Sequence, residues 1–203
     1  NFLFDIKKNN FNFTDVSFDV NNINFLSERL NVKKDKKDYL LKGIIRNKNS
    51  PLNDELLQII KLKYPQFNLI NTNFESNNDF SFNINNKFKV KNLTINSSIL
   101  IDSSQFKKNN LISKSFIEIN DLIDIKDHEI KASYANKKLS IKGKGQVKLQ
   151  NKFELIDYEI INNGFDLNLV SNIELSELNI KNQNLIKEYL PKTKDILNLK
   201  DHK

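Results

Sequence analysis

The stretch HEIKASYANKKLSIKGKGQVKLQNKFELIDYEIINNGFDLNLVSNIEL, residues 128–175, decides the fold because apolar and polar residues alternate along most of its length. A period of two places every second side chain on the same face of a β-strand. Residues 135–138 interrupt the alternation as a turn, and Asn163–Gly164 supply the positive φ of a two-residue hairpin turn. A change of parity between Leu155 and Ile156 predicts a β-bulge. The stretch therefore predicts consecutive antiparallel strands with one buried face.

The first half of the chain repeats this period and adds two helical segments. Alternating apolar residues occur at Phe2, Phe4 and Ile6, at Val16, Phe18 and Val20, and at Phe80, Phe82 and Ile84. A helix is predicted near 51–63, with Ser50 as its N-cap and Pro51 at its first position, and a second at 183–190 before Pro191. Each helix has a single apolar side, which must pack on a sheet. We predict a mainly β fold: an antiparallel meander of amphipathic strands with two short helices.

Two similar stretches of the sequence predict an internal repeat. The string LIDIKDHE at 122–129 recurs as ILNLKDHK at 196–203, and the two copies contain both histidines of the chain. Such self-similarity is typical of arrays in which each unit buries its face against its neighbours. We therefore expect a first β unit or units at 1–121, a second at 122–195 and the start of a further repeat at 196–203, in a chain cut from a longer protein. Asp127–His128 is interpreted as a turn before a strand.

Composition argues against several classes of function. The formal net charge is +7, but acids are spread among the lysines and Arg29 and Arg46 are the only arginines, so no nucleic-acid partner is predicted. The absence of Cys removes disulfides, thiolate metal sites and cysteine nucleophiles. Neither a nucleophile motif nor a converging set of His and carboxylate residues is present. We expect no enzyme activity, no metal and no cofactor. No apolar run approaches the roughly 18 residues of a membrane span.

The chain contains 15 Phe but no Trp or Met, and this composition has two interpretations. Most Phe residues lie on the inward parity of the strands, as in a dry packed core, but a face that holds lipid tails would carry the same pattern. Gly143 and Gly145 lack side chains on this face, which either permits a bend or leaves space for a ligand. The predicted lining consists of Tyr134, Leu139, Ile141, Gly143, Gly145, Val147, Leu149, Tyr158, Phe165, Leu167 and Leu169.

The succession of amphipathic strands, the short helix ending in EYLP at 188–191 and the KDH turn that follows resembles the AsmA-like envelope proteins of the YhdP type. The resemblance implies a repeating, taco-shaped β groove of which this chain is an internal segment, with no catalytic residues. It further implies a parent protein anchored in the inner membrane of a Gram-negative bacterium and spanning the periplasm. The implied partners are phospholipid acyl chains, neighbouring β repeats of the parent chain and the membranes at its ends.

The sequence thus predicts a non-enzymatic β-groove segment that binds acyl chains and supports phospholipid transport between the inner and outer membranes. One alternative is a closed β-sandwich or solenoid segment of a surface adhesion or structural protein. In that alternative the same apolar residues form a dry core. The two predictions differ in whether phospholipid occupies the apolar face.

Overall fold

The computed structural model describes residues 3–7, 9–55, 58, 69–107, 119–164, 166–181, 188–189, 192 and 196–200. Most of these residues are extended, as their alternating sequence predicts. The strands are β1 (Leu3–Lys7), β2 (Asn10–Val20), β3 (Ile23–Asp35), β4 (Asp38–Pro51), β5 (Leu69–Ile70), β6 (Asn73–Asn85), β7 (Val90–Lys107), β8 (Leu122–Ala135), β9 (Lys138–Lys148), β10 (Glu154–Asn162), β11 (Leu167–Glu174), β12 (Glu177–Lys181) and β13 (Ile196–Lys200).

The strands form a meander. Ten of the strands pair in the order β1-β2-β3-β4-β6-β7-β8-β9-β10-β11, every pair is antiparallel, and the short β5 joins this 11-stranded sheet by pairing with β7. Strands β12 and β13 form a separate two-stranded sheet. Within the described residues β1 and β11 do not pair with each other, so the main sheet is open. The prediction of a mainly β, curved and unclosed antiparallel sheet is confirmed.

Tight turns join several of the strands. Asn21 and Asn22 both have positive φ between β2 and β3, and so do Asn136 and Lys137 between β8 and β9. Two consecutive residues of positive φ match the right-handed twist of the flanking strands. The turn predicted at 135–138 is therefore confirmed.

The turn predicted at Asn163–Gly164 differs from a two-residue hairpin turn at these positions. Strand β10 ends at Asn162 and β11 begins at Leu167, and the Asn163 N–H donates a hydrogen bond to the Asp166 carbonyl at 3.1 Å. Gly164 has a φ of 91°, whereas Asn163 does not have positive φ. The Asn162 side chain accepts a hydrogen bond from the Gly164 N–H at 2.7 Å, which stabilises the turn. The two-residue turn predicted at Asn163–Gly164 is therefore wrong, because Asn163 pairs across the turn.

The bulge predicted between Leu155 and Ile156 is absent. Strand β10 keeps one register with β9 and with β11 along its whole length. Leu155 simply lies on the outer face of the sheet, where its side chain is 57% exposed. A register shift occurs instead between β8 and β9, near Asp127, whose φ is 51°. Asp127 and His128 thus lie at a bulge inside β8, and their interpretation as a turn before a strand is wrong.

The predicted helices lie largely outside the described residues. In the first, Asp54, Glu55 and Gln58 are helical. Pro51 does not begin the helix, because it is the last residue of β4 and lies opposite Asn73 of β6. In the second, Glu188 and Tyr189 are helical, and the remainder of 183–190 lies outside the described residues.

The predicted division at 121–122 does not interrupt the sheet, because β7 and β8 pair along most of their length. Both copies of the repeated string nevertheless begin a strand that pairs antiparallel with the preceding strand. The first copy begins β8, which pairs with β7, and the second begins β13, which pairs with β12. His202, in the second copy, lies outside the described residues. The assignment of 1–121, 122–195 and 196–203 to repeat units stays a prediction.

Few side chains in the described part of the chain are fully buried. The buried apolar residues there are Ile23, Leu69, Ile123 and Val147. All extensive contacts between described strands join strands that are neighbours in a sheet, so no second layer covers the main sheet there.

Candidate functional site

The apolar face of the sheet is defined by rows of side chains that the strand register places opposite one another. One row crosses from β2 to β11 through Phe13, Leu30, Gly43, Phe80, Ile95, Tyr134, Leu139, Asn162 and Leu167. A second row runs from β4 to β11 through Ile45, Asn78, Ser97, Ala132, Ile141, Ile160 and Leu169. Directly opposed residues on antiparallel strands point to the same side of the sheet. The two rows therefore form a largely apolar surface that crosses most of the strands.

The register brings most of the predicted lining together. Tyr134, Leu139, Ile141, Gly143, Gly145, Val147, Tyr158, Leu167 and Leu169 all lie on the apolar face. Leu169 is on the edge strand and is 64% exposed. Leu149 follows the end of β9, where its carbonyl accepts a hydrogen bond from the Asn120 N–H at 3.0 Å. Phe165 lies outside the described residues.

One hollow in the apolar face lies in the half of the chain that the predicted lining did not include. A hollow of about 260 Å³ opens over β2, β3, β4 and β6. Its lining consists of Phe13, Val16, Leu30, Asn31, Val32, Leu41, Lys42 and Phe80. The space above Gly43 is filled by the Leu30 side chain, because a Cβ atom added at Gly43 would overlap it. The alternation of apolar and polar residues around Phe80 and Phe82 is the sequence feature that could have predicted an apolar surface here.

Aromatic pairs stiffen this part of the face. The rings of Phe80 and Phe82 are stacked with centroids 5.8 Å apart, and those of Phe18 and Phe25 are stacked at 5.7 Å. Pairs of this geometry contribute about 0.5–1.5 kcal/mol beyond the area that they bury. They give the open sheet a preformed apolar surface without a covering layer.

The two glycines of β9 make room for rings of this chain. A Cβ atom added at Gly143 would overlap the Tyr158 ring, and one added at Gly145 would overlap the His128 ring. The two rings lie with centroids 6.1 Å apart and planes tilted by 34°. The space above both glycines is therefore filled, and the expectation that it receives a ligand directly is wrong for this conformation.

Burial keeps these two rings neutral near pH 7. His128 is 6% exposed, and burial lowers its pKa below 6.5, although the Lys126 backbone and the Asp127 carboxylate oppose the shift. Burial also raises the pKa of the Tyr158 hydroxyl. His128 Nδ1 is buried and has no hydrogen-bond partner among the residues that the structure describes. An uncharged imidazole and phenol are compatible with an apolar surface, whereas a charged ring would not be.

A group of buried polar side chains interrupts the apolar face in the middle strands. The Ser76 hydroxyl donates to Asn47 Oδ1 at 2.5 Å, and Asn78 Nδ2 donates to Ser76 Oγ at 2.8 Å. Asn47 Nδ2 also donates to the Phe74 carbonyl at 3.1 Å. Because these groups satisfy one another, their burial costs little.

The opposite face is charged and wet. Lys144 pairs with Glu129 at 3.0 Å and Lys142 with Glu159 at 3.3 Å, and all four side chains are exposed. Exposed pairs of this kind contribute less than about 1 kcal/mol each. The contrast between the faces gives the sheet one side suited to water and one suited to apolar matter.

The described residues contain no group of three or more His, Asp or Glu residues placed to hold a metal ion. Among the same residues, no helix is both long and apolar enough to cross a membrane. Comparisons with protein-family models, with curated proteins and with solved structures found no match to this chain. The feature of the chain that bears on function is therefore the apolar face of the main sheet.

Proposed function

We propose that this chain is a non-enzymatic segment of a β-groove protein whose apolar face binds acyl chains and supports phospholipid transport between inner and outer membranes. The observation that carries the proposal is the row from Phe13 of β2 to Leu139 of β9, which crosses seven strands without an amide or charged side chain. The rows of the apolar face run across the main sheet, and no second layer covers them in the described part of the chain.

The chemistry of the face suits a lipid tail. An acyl chain needs a continuous surface without directional contacts, and each buried CH₂ group contributes about 0.8 kcal/mol. The hollow around Phe13, Leu30 and Phe80 supplies a concave part of such a surface. The neutral rings of Tyr158 and His128 extend it over β9 without adding a charge.

The cellular setting belongs to the same proposal and follows from the resemblance alone. The parent protein would be anchored in the inner membrane and span the periplasm, with further β repeats on either side of this segment. Its partners would be phospholipid acyl chains and the membranes at its ends.

A second candidate is a closed β-sandwich or solenoid segment of a surface adhesion or structural protein. The observation that favours it is the edge strand β11, where Leu169 and Val170, on opposite faces, are both 64% exposed. Additional strands or a second layer from a longer chain would bury them. Extraction of the purified protein followed by mass spectrometry separates the two candidates, because only the lipid groove should carry bound phospholipid.

The test of acyl-chain binding compares two single variants, each of which introduces an aspartate at one of two neighbouring positions of β9. Delipidated protein is mixed with labelled phospholipid, and the label retained after native electrophoresis is measured. Ile141→Asp places a charge on the apolar face and should abolish retention, because a carboxylate there would have to be desolvated under the lipid tail. Ser140→Asp places the same charge on the opposite face of β9 and should retain label as the native protein does. Equal retention by both variants would contradict the proposal.

A further inference from the structure

The hairpin that joins β6 to β7 presents an aromatic side chain directly to solvent. Phe88 is 84% exposed, more than any other large apolar residue in the described part of the chain. It lies between Lys87 and Lys89 in the sequence NKFKVK, residues 86–91. An exposed phenyl ring costs free energy in water unless something covers it in the working state of the protein.

The backbone of this hairpin holds Phe88 in a conformation that bulky residues rarely adopt. Its φ is 57°, a region normally occupied by Gly or Asn in turns. Asn85 builds the turn: its side chain accepts hydrogen bonds from the Lys87 and Lys89 N–H groups at 3.0 and 2.9 Å, and its carbonyl accepts one from the Phe88 N–H at 2.9 Å. Strain retained at an exposed aromatic residue points to a function for that residue.

Lysines flank Phe88 in the hairpin and in the neighbouring turn. Asp38 lies opposite Asn85, so the β3–β4 turn with Lys36 and Lys37 lies beside the Phe88 hairpin. Lys87 and Lys89 are exposed like the two lysines of that turn, and none of the four is in an ion pair within the described part of the chain. The end of the sheet therefore combines one apolar side chain with a cluster of free positive charge.

The hairpin also protrudes beyond its other neighbour. Strand β8 ends at Ala135, and its last pair with β7 is Tyr134 with Ile95. Residues 90–94 of β7 therefore continue past the end of β8 and carry the Phe88 turn outward. Phe88 is therefore exposed at the tip of this hairpin.

We propose that this tip, residues 86–91 together with Lys36 and Lys37, docks on an anionic phospholipid surface and inserts Phe88 at the interface. Lysines attract the negative lipid headgroups, and an aromatic ring between them partitions into the interfacial region. A protein partner would have to supply acidic groups around an apolar pocket, whereas an anionic bilayer offers both features over any area. The inference goes beyond acyl-chain binding and does not depend on it.

The test uses tryptophan as a reporter, because the chain contains none. Phe88→Trp is compared with Phe153→Trp, a matched control at the opposite end of the sheet, where Phe153 is 43% exposed and Lys148 Nζ lies 6.0 Å from its ring. Each full-length variant is titrated with vesicles of phosphatidylglycerol and phosphatidylcholine, and with vesicles of phosphatidylcholine alone. Emission of Phe88→Trp should shift to shorter wavelength with the anionic vesicles only, and that of Phe153→Trp should not shift.

Two further variants separate docking from folding. Phe88→Gly should bind anionic vesicles at least tenfold more weakly, from the loss of a buried phenyl group, yet unfold at the same or a higher temperature because glycine tolerates positive φ. Lys87→Gln and Lys89→Gln should each weaken binding about fivefold. An unshifted Phe88→Trp spectrum, an equal shift of Phe153→Trp, or native vesicle binding by Phe88→Gly would overturn the proposal and leave the tip to a protein partner. Phe88→Gly should retain labelled phospholipid in native electrophoresis as the native protein does. Docking at the tip and acyl-chain binding on the apolar face can therefore be confirmed or contradicted separately.

Discussion

Replacing Gly143 by alanine should destabilise the sheet, because the added methyl group overlaps the ring of Tyr158. Overpacking of this kind costs about 1–3 kcal/mol, and the better strand conformation of alanine returns about 0.5–1 kcal/mol. The expected net loss in the free energy of unfolding is therefore about 1–2 kcal/mol. The displaced ring would also leave its contact with His128, which lies at a centroid distance of 6.1 Å.

Urea unfolding followed by circular dichroism measures this loss. In a Tyr158→Ala background the methyl group has room, so Gly143→Ala should then be neutral or slightly stabilising, a coupling of about 2 kcal/mol. Lys144→Ala, on the charged face of the same strand, is the control and should change stability by less than about 0.5 kcal/mol. If Gly143→Ala has the same effect with and without the Tyr158 ring, the packing described here is refuted.

Three further outcomes are expected. The pKa of His128 is lower in the folded protein than the 6.5 of the free side chain, so the unfolded state binds the proton more tightly. The free energy of unfolding should therefore be highest above pH 6.5 and should fall as the pH drops through the folded pKa. His128→Phe should remove this fall from a pH series of urea midpoints. Lys137→Gly should raise the free energy of unfolding by about 1 kcal/mol, because Lys137 has a φ of 64°, and a decrease in the urea midpoint would contradict this reason. Phe88→Gly should stabilise the protein by a similar amount for the same reason, with a lower melting temperature as the contrary result.

The faces of the strands could be predicted from the sequence because alternation alone determines them. Tyr134, Leu139 and Ile141 were expected to share a face, and the register places them there. The meander was predictable for a related reason, since closely spaced amphipathic segments with polar turns pair most simply with their neighbours.

Details that depend on register or on solvent exposure could not be predicted. The parity change at Leu155 predicts a bulge, but the structure places this apolar residue on the outer face, where it is 57% exposed. The partners of Gly143 and Gly145 come from β8 and β10, and a one-residue change of register would have given them different neighbours. The sequence could not distinguish a helix start from a strand end at Pro51, because the missing N–H of proline is tolerated at both positions.

The central claim, that acyl chains lie along the apolar face, is tested most directly by photochemical labelling. A phospholipid with a photoreactive group inside one acyl chain is bound to the full chain and irradiated, and the labelled residues are located by mass spectrometry. The account predicts label on residues of the apolar face such as Phe80, Leu139 and Ile141. Label spread equally over the opposite face, at Lys131 and Ser140, or no label above that of a denatured sample, would contradict it.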